Sequence, residues 1–566
     1  MIKNIKKFLN TNIFFLILLT IVAFSLYGKS INFGLTELDD NGLITNNVGF
    51  ISYIENIPKL FTMSPYYNNS TSYYRPMLSV SFAIEAFFVR DNLKLYHVTN
   101  IILFVLSLYL FYLFCMELKL NSIITKFVLL VVAVHPMLTS IVVWIPGRND
   151  SLLTLFFIAS FVFFIRYLNT QKIKYAFFFG FFFILSLFTK ETFLLLIPTY
   201  FVYLLFYKRD FSKKKLLFLF TSLIPFVIIF FILRKISIVT FGYEHYFLKI
   251  NVIFVNLVKY TFMFFYNFFV PEYIPMMLFN AGLSLKIIIY NCLFTLILIF
   301  VLYKKILPVK IFVFSILIVF LSLAPTFLQE EIVYLNHRFF VSSIGFVIIL
   351  VSVLDCLFTK VYKLKPFFIV FFIIAFVGLF CLSYKQADKY KDNEAFWVNS
   401  YIDSPNFYLV CQNLSKIYMD RGMLKEAEYY AKKTVELKQS YATFIQYAIF
   451  LIKTGDLEQA ETALIEMEKD VKKNKDLCNS LLSEVYYKQN NYEKALQHAL
   501  KAYDLAYTFK PSYCEQLATI YDAMENYDEE IKMYEKLLNY DRRNKDYKNK
   551  MMELKEKINN RKMKNA

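Results

Sequence analysis

The chain has 566 residues, 58% hydrophobic and 19% aromatic, with a formal net charge of +18. Soluble domains run at roughly 45–50% apolar, so an ordinary globular protein is excluded and a membrane is indicated. The positive charge does not mark a nucleic-acid binder, because many Lys and Arg residues lie in short clusters between apolar runs.

A bilayer core takes roughly 20 apolar residues per helix. On that basis the sequence predicts about eleven spans, near residues 12–27, 97–115, 127–144, 151–168, 175–188, 191–207, 216–233, 287–303, 311–327, 339–358 and 367–384. The first is read as a span rather than a secretory signal, since its end, AFSLYGKS, lacks a clear small-residue cleavage site. Segment 251–270 is read as a helix lying at the outer surface, because counting it as a span spoils the charge asymmetry downstream. With that reading, basic residues crowd the inner segments, as at Lys208, Arg209 and Lys213 to Lys215, at Lys304, Lys305 and Lys310, and at Lys360, Lys363 and Lys365. The positive-inside rule then places the N-terminus in the cytoplasm and the C-terminal part outside. Outside means periplasm or exterior for a bacterium and the lumen of the endoplasmic reticulum for a eukaryote. Only in the eukaryotic case would the sequons within Asn68–Thr71 matter.

Beyond residue 385 the composition changes to Lys, Glu, Asn and Tyr. Residues 386–406 read as a linker or first helix, and from 407 to 566 a period of 33–35 residues sets in. Gly422 and Gly455 follow it, as do Ala427, Ala460 and Ala495, and Tyr418, Tyr486 and Tyr521. Small residues at this spacing resemble tetratricopeptide repeats, helical hairpins whose stack forms a groove for a peptide or protein. Three units are well formed by this reading. A fourth, YDAMENYDEEIKMYEKLL, reads as a degenerate cap. The repeats could equally brace the membrane part or hold a dimer. The seven Cys are scattered with no CxxC or metal-ligand spacing, which argues against a disulfide framework or a zinc site.

Chemistry-bearing residues recur at the outer helix ends and loops: Asp39 and Asp40, YYRP with Arg75, YHVTN with His97 and Asn100, HP at His135, PGRND with Arg148 and Asp150, TKE with Lys190 and Glu191, and LNHRFF with His337 and Arg338. Each motif alone is weak, since an Arg or Lys at a helix end is often an interfacial anchor and an acidic pair in a loop is usually solvated. Ionisable groups near membrane depth are costly, however, and so many on one face point to a single outer site. Basic groups there could bind a lipid-linked phosphate while a carboxylate takes a proton from an attacking hydroxyl.

This ordered set, followed by the repeats, resembles the transmembrane-and-tetratricopeptide protein O-mannosyltransferases and their microbial relatives, in the GT-C superfamily of glycosyltransferases. The resemblance implies an all-α architecture, with a polytopic GT-C-like membrane domain over 1–385 and a repeat solenoid over 407–566. It implies transfer of a sugar, usually with inversion, from a polyprenyl-phosphate carrier to Ser or Thr hydroxyls of exported proteins. Asp39 or Asp40 would be the base, and Arg75, His97, Asn100, His135, Arg148, Asp150, Lys190, Glu191 and Arg338 would line the donor and substrate site. Partners would be the lipid-linked sugar, an acceptor protein held by the repeats and membrane lipid, with no nucleic acid. No cofactor is required in principle, and a divalent metal helped by Asp39 or Asp40 stays open. The chain departs from the animal enzymes after the HP motif, with Leu138 and Ser140 in place of His and Glu, which leaves the sugar open. The alternatives are an envelope lipid or polysaccharide as acceptor, or a non-catalytic scaffold. A scaffold has no reason to place charges at so many outer helix ends.

Overall fold

The computed structural model describes residues 11–67, 73–207, 212–238, 250–271, 278–279, 284–328, 333–360, 365–470, 475–506 and 509–565. The sequons at 68–71 lie outside this set. The regular structure of the described residues is helical, apart from a two-residue antiparallel pairing of Leu278–Phe279 with Val333–Tyr334. The chain forms two compact units, one of residues 1–44, 57–66 and 70–399, the other of 45–56, 67–69 and 400–566.

In the first unit, nine of the described helices are long and apolar enough to cross a bilayer: Asn12–Asn32, Leu93–Glu117, Ile145–Thr170, Lys214–Ser237, Asn251–Phe269, Leu285–Tyr303, Val309–Phe327, Asn336–Thr359 and Pro366–Asp388. The pair Ser122–Ala133 and Pro136–Val143, bent by 63°, makes a tenth if it counts as one span. Two stretches expected to cross, 175–188 and 191–207, are the shorter apolar helices Ile173–Leu187 and Thr192–Tyr207. Segment 251–269, expected on the surface, has the length and apolarity of a span, although Lys259 sits at its middle.

The bend is built by His135 and Pro136. Proline cannot donate the amide hydrogen bond that would continue the helix. The His135 ring takes over as a cap, its Nδ1 accepting from Met137 N at 3.2 Å. An accepting Nδ1 places the proton on Nε2, which donates to the Phe268 carbonyl at 3.1 Å. Carbonyls exposed at the break find donors on neighbouring helices: Tyr27 Oη reaches Ala133 O at 3.4 Å and Ser383 Oγ reaches Val134 O at 2.7 Å. Such mutual satisfaction is required where water is scarce. Elsewhere close backbone approach does the packing. A Cβ at Gly345 would lie 2.2 Å from Ser315 O, so only glycine lets Phe340–Lys360 lie this close to Val309–Phe327.

The second unit contains four consecutive helical hairpins, Tyr408–Asp420 with Leu424–Leu437, Tyr441–Thr454 with Leu457–Asp470, Lys475–Lys488 with Tyr492–Leu505, and Pro511–Ala523 with Tyr527–Tyr540. Helix Lys545–Asn565 follows them. Ala427, Ala460 and Ala495 are fully enclosed at the hairpin crossings, which explains their spacing. Ser415 Oγ and Ser483 Oγ repeat one bond, to Ala427 O at 2.9 Å and Ala495 O at 2.8 Å. Every hairpin turns through a left-handed residue: Gly422, Gly455, Asn490 and Glu525. Glycine takes that conformation without steric cost, whereas a side chain is strained there.

The turn chemistry predicts the sign of two substitutions. Gly455→Ala should destabilise the repeat unit by about 1 kcal/mol and Glu525→Gly should leave it unchanged or firmer, read from unfolding of the detergent-solubilised protein. A second test concerns Glu530, 4% exposed, with Oε2 lacking a hydrogen-bond partner. Burial, reinforced by Asp522, raises its carboxyl pKa to about 7. The folded state therefore binds a proton more readily than the unfolded chain, and stability falls as pH rises from about 4.5 through 7. Glu530→Gln should raise the melting temperature of the repeats at pH 8 and leave it nearly unchanged at pH 4.

Candidate active site

The first unit holds two distinct groups of ionisable side chains. The deeper one is centred on Arg148, at the start of helix Arg148–Thr170 and 0% exposed. Its Nη1 and Nη2 fork onto Glu85 Oε2 and Oε1 at 2.5 and 3.1 Å. Nη2 also reaches Tyr96 O at 2.8 Å, and Nε donates to Asn100 Oδ1 at 2.8 Å. Asn100 Nδ2 in turn lies 3.2–3.3 Å from the carbonyls of Val142, Trp144 and Ile145. The guanidinium face lies over the Phe82 ring. Gly147 makes this possible, because a Cβ there would lie 2.6 Å from Ser140 O. Glu85 was not singled out by sequence. Its signal is an acidic residue in the otherwise apolar helix Pro76–Val89.

The second group lies where the first loop, the Tyr73–Arg75 stretch, the two residues after Arg148, the 188–191 turn and the 336–339 turn come together. Lys190 Nζ pairs with Asp150 Oδ1 at 2.7 Å. Arg75 Nε is 3.4 Å from Glu191 Oε2, while Glu191 Oε1 accepts from Tyr74 N at 2.7 Å. The Arg75 guanidinium also sits over the Tyr73 ring, 4.2 Å from its centroid. Asn149, with its amide turned to satisfy its neighbours, accepts from Arg75 Nη1 at 3.2 Å and donates to Thr189 O at 3.1 Å. Arg338 lies 3.5 Å from Tyr260 Oη, and His337 packs on Trp144 with ring centroids 5.0 Å apart. His337 feels the charges of Asp150, Arg338, Lys190 and Arg75, so all five share one electrostatic neighbourhood.

The two aspartates of the first loop differ. Asp40, 1% exposed, accepts through Oδ2 from Thr36 N at 3.0 Å and Thr36 Oγ1 at 2.5 Å. Thr36 is itself anchored, its carbonyl accepting from Trp397 Nε1 at 3.0 Å. Burial is the main cause that raises the Asp40 pKa to about 6. Asp39 feels the charges of Arg75 and Arg338 and accepts from the Tyr66 hydroxyl. Burial raises its pKa as well, with Tyr66 and the two arginines pulling it back.

Of the residues singled out by sequence, Asp39, Arg75, Asp150, Lys190, Glu191, His337 and Arg338 therefore share one neighbourhood. Arg148 and Asn100 lie in the enclosed lock, His135 is committed to the helix break, and His97, 1% exposed, packs edge-on against Phe33. Sequence reasoning missed Tyr66 and Tyr260, whose neutral polar side chains carry no pattern, and gave no role to Tyr73 and Asn149 within the YYRP and PGRND motifs. Among the described residues no group of three or more His, Cys, Asp or Glu is arranged to hold a metal ion.

Together, the apolar helix bundle and the hairpin stack define a polytopic membrane protein with a tetratricopeptide-type C-terminal part. The family model described as dolichyl-phosphate-mannose-protein mannosyltransferase matches residues 80–233, and a tetratricopeptide repeat model matches 511–544. That repeat match falls on the fourth hairpin, which had read as the degenerate one. In this order along the chain the two matches agree with the resemblance carried by the motifs, and neither spans half of the chain. No curated protein matches the sequence. Among solved structures, a thermophilic tetratricopeptide protein of Thermus thermophilus is similar at 19% identity and a TM-score of 0.26, covering 31% of this chain and 94% of its own.

The lock around Arg148 yields a double-mutant prediction. Removing one partner of an enclosed ion pair strands the other charge, at about 3–5 kcal/mol. Glu85→Leu or Arg148→Met alone should sharply reduce the folded yield in detergent, while the double variant should recover most of it, as read by gel-filtration profile and melting temperature.

Proposed function

We propose that the chain transfers a sugar from a polyprenyl-phosphate carrier to Ser or Thr hydroxyls of exported proteins, with the repeat unit engaging the acceptor. The membrane glycosyltransferase class rests on the match to the mannosyltransferase family. The observation that carries the finer reading is Asp39, a carboxylate that accepts from Tyr66 and feels the charges of Arg338 and of Arg75, the latter paired with Glu191. In this reading the acceptor oxygen attacks the anomeric carbon as the bond from that carbon to the phosphate oxygen breaks. The hydroxyl proton passes to Asp39, whose raised pKa suits a base. The charge gathering on the departing polyprenyl phosphate is met by Arg75, Lys190 and Arg338. Direct displacement inverts the anomeric centre. Asp40 keeps the loop folded through Thr36, and Arg148 and Asn100 hold the frame without touching the donor. Mannose is the sugar named in the matching family's description. Leu138 and Ser140 leave room for another hexose.

The sidedness of the repeat unit is part of the proposal. Segment 45–56, which follows the aspartates, and residues 400–566 pack into one unit, and a polar contact of that kind forms only on one face of a bilayer. Residues 57–399 must then cross an even number of times. With helix Asn251–Phe269 lying at the interface, Lys259 in mid-helix, and with Pro76–Val89 not taken as a crossing, this is satisfied: the remaining helices from Leu93 to Asp388, counting the bent pair once and Ile173–Leu187 and Thr192–Tyr207 as crossings, number ten.

Glycopeptide mass spectrometry of exported proteins, from cells making wild type, Asp39→Asn, Asp40→Asn or no copy, tests the reading. Hexose on Ser or Thr should vanish in the deletion and in Asp39→Asn at equal protein level. Asp40→Asn should lower both the folded protein and the glycosylation. Identical glycopeptides in all four strains would refute a protein acceptor, and envelope lipids and polysaccharides would then be compared.

A further inference from the structure

The repeat unit contains a segment that the repeats do not predict. Segment 45–56, from the first outer loop, packs in the same unit as the C-terminal hairpins. Its ring at Phe50 stacks on Tyr540, with centroids 6.2 Å apart at 18°, and Tyr540 in turn meets Phe509 at 5.3 Å. Tyr53 Oη donates to Asp541 Oδ1 at 3.2 Å and accepts from Arg543 N at 3.0 Å. Asp541 Oδ1 also accepts from Arg543 N at 3.2 Å, closing a small cycle. The Arg543 guanidinium covers the Tyr53 ring at 5.1 Å. Gly49 is at the point of closest approach: a Cβ there would lie 3.0 Å from Asp541 Cβ and 3.0 Å from the Tyr540 ring. Ile51 is fully enclosed and Asp541 is 5% exposed.

An aromatic stack, a half-buried carboxylate–phenol bond and a glycine fitted to its partner are more than an incidental touch. The chain arrangement gives them meaning. Only residues 41–44 separate Asp40 from this segment, and the short helix Asp40–Leu43 fills that interval. We propose that residues 45–56 form a strap by which the repeat unit holds the loop bearing Asp39, with Tyr53 and Asp541 as positioning residues for the transfer reaction. The strap rests on the function proposed above only in its effect on turnover. Its existence can be tested separately. A fixed geometry at the reacting centre is worth much of the rate, and a displacement of about 1 Å can cost about a hundredfold. The repeat unit would thus both engage the acceptor and set the loop that receives the acceptor's proton.

The test uses the full-length protein in native membranes carrying Gly49→Cys with Asp541→Cys. Bridged cysteines have Cβ atoms about 3.8 Å apart on average, within a small adjustment of the distance here. Under mild oxidation, peptide mapping should find residues 49 and 541 joined, and Gly49→Cys with Met423→Cys, on the first hairpin, should give no such product. The reduced double variant lacks the Asp541 carboxylate, and its transfer turnover should fall about tenfold with the donor KM unchanged. Oxidation should restore turnover and reductant should remove it again. Tyr53→Phe should show the same fall in turnover and the same unchanged KM. Absence of the 49–541 product overturns the strap. Full turnover in Tyr53→Phe and in the reduced double variant overturns its positioning role. If Asp39→Asn glycosylates normally, it is the transferase reading that fails, and the cross-link still decides the strap.

Discussion

The membrane unit is organised around one guanidinium taken wholly out of water. Arg148 is bearable there only because Glu85, Asn100 and the Tyr96 carbonyl use its donors. An unpaired charge at such a place would be expelled or would unfold the unit. The pairing therefore fixes helices Pro76–Val89 and Leu93–Glu117 and the start of Arg148–Thr170 against one another. It also dictates what comes next in the chain. With Arg148 pinned inward at the helix start, Asn149 and Asp150 are delivered to Arg75 and Lys190. An enclosed lock thus positions a second group of charges, and the two neighbouring residues of one motif end in different environments.

In the outer group the opposite charges are already paired, Lys190 with Asp150 and Arg75 with Glu191. Such pairs hold long basic side chains in defined places. The arrangement is electrostatically preorganised, which is where stabilisation of a developing charge is most effective. Tyr66 and Tyr73 add neutral polar and aromatic surface to the same group.

Much of this was legible in the sequence for simple reasons. Apolar runs mark helices because the bilayer demands length, and Ala427, Ala460 and Ala495 mark hairpin crossings because nothing larger fits. Charged residues in the outer motifs were visible because charge is rare in such a chain. What charge alone could not show was direction: Arg148 and Arg75 read alike, yet one is enclosed by Glu85 and the other meets Glu191. The adjacent aspartates likewise separate only once Thr36 claims Asp40. The two later hairpin turns were obscured because Asn490 and Glu525 adopt the conformation that Gly422 and Gly455 advertise. Segment 251–269 misleads in the other direction, since hydropathy speaks for a span and Lys259 against one.

The bond between Tyr53 and Asp541 joins residues 488 apart in sequence. A ribosome adding about 5–20 residues per second needs roughly half a minute to a minute and a half to make the second partner after the first. Throughout that interval the loop after the first helix waits with its aromatic side chains and Asp541's future partner uncovered. The helical bundle is made in full before the loop finds its seat. Maturation of this protein is therefore sequential by construction, and one of its earliest segments is among the last to become native.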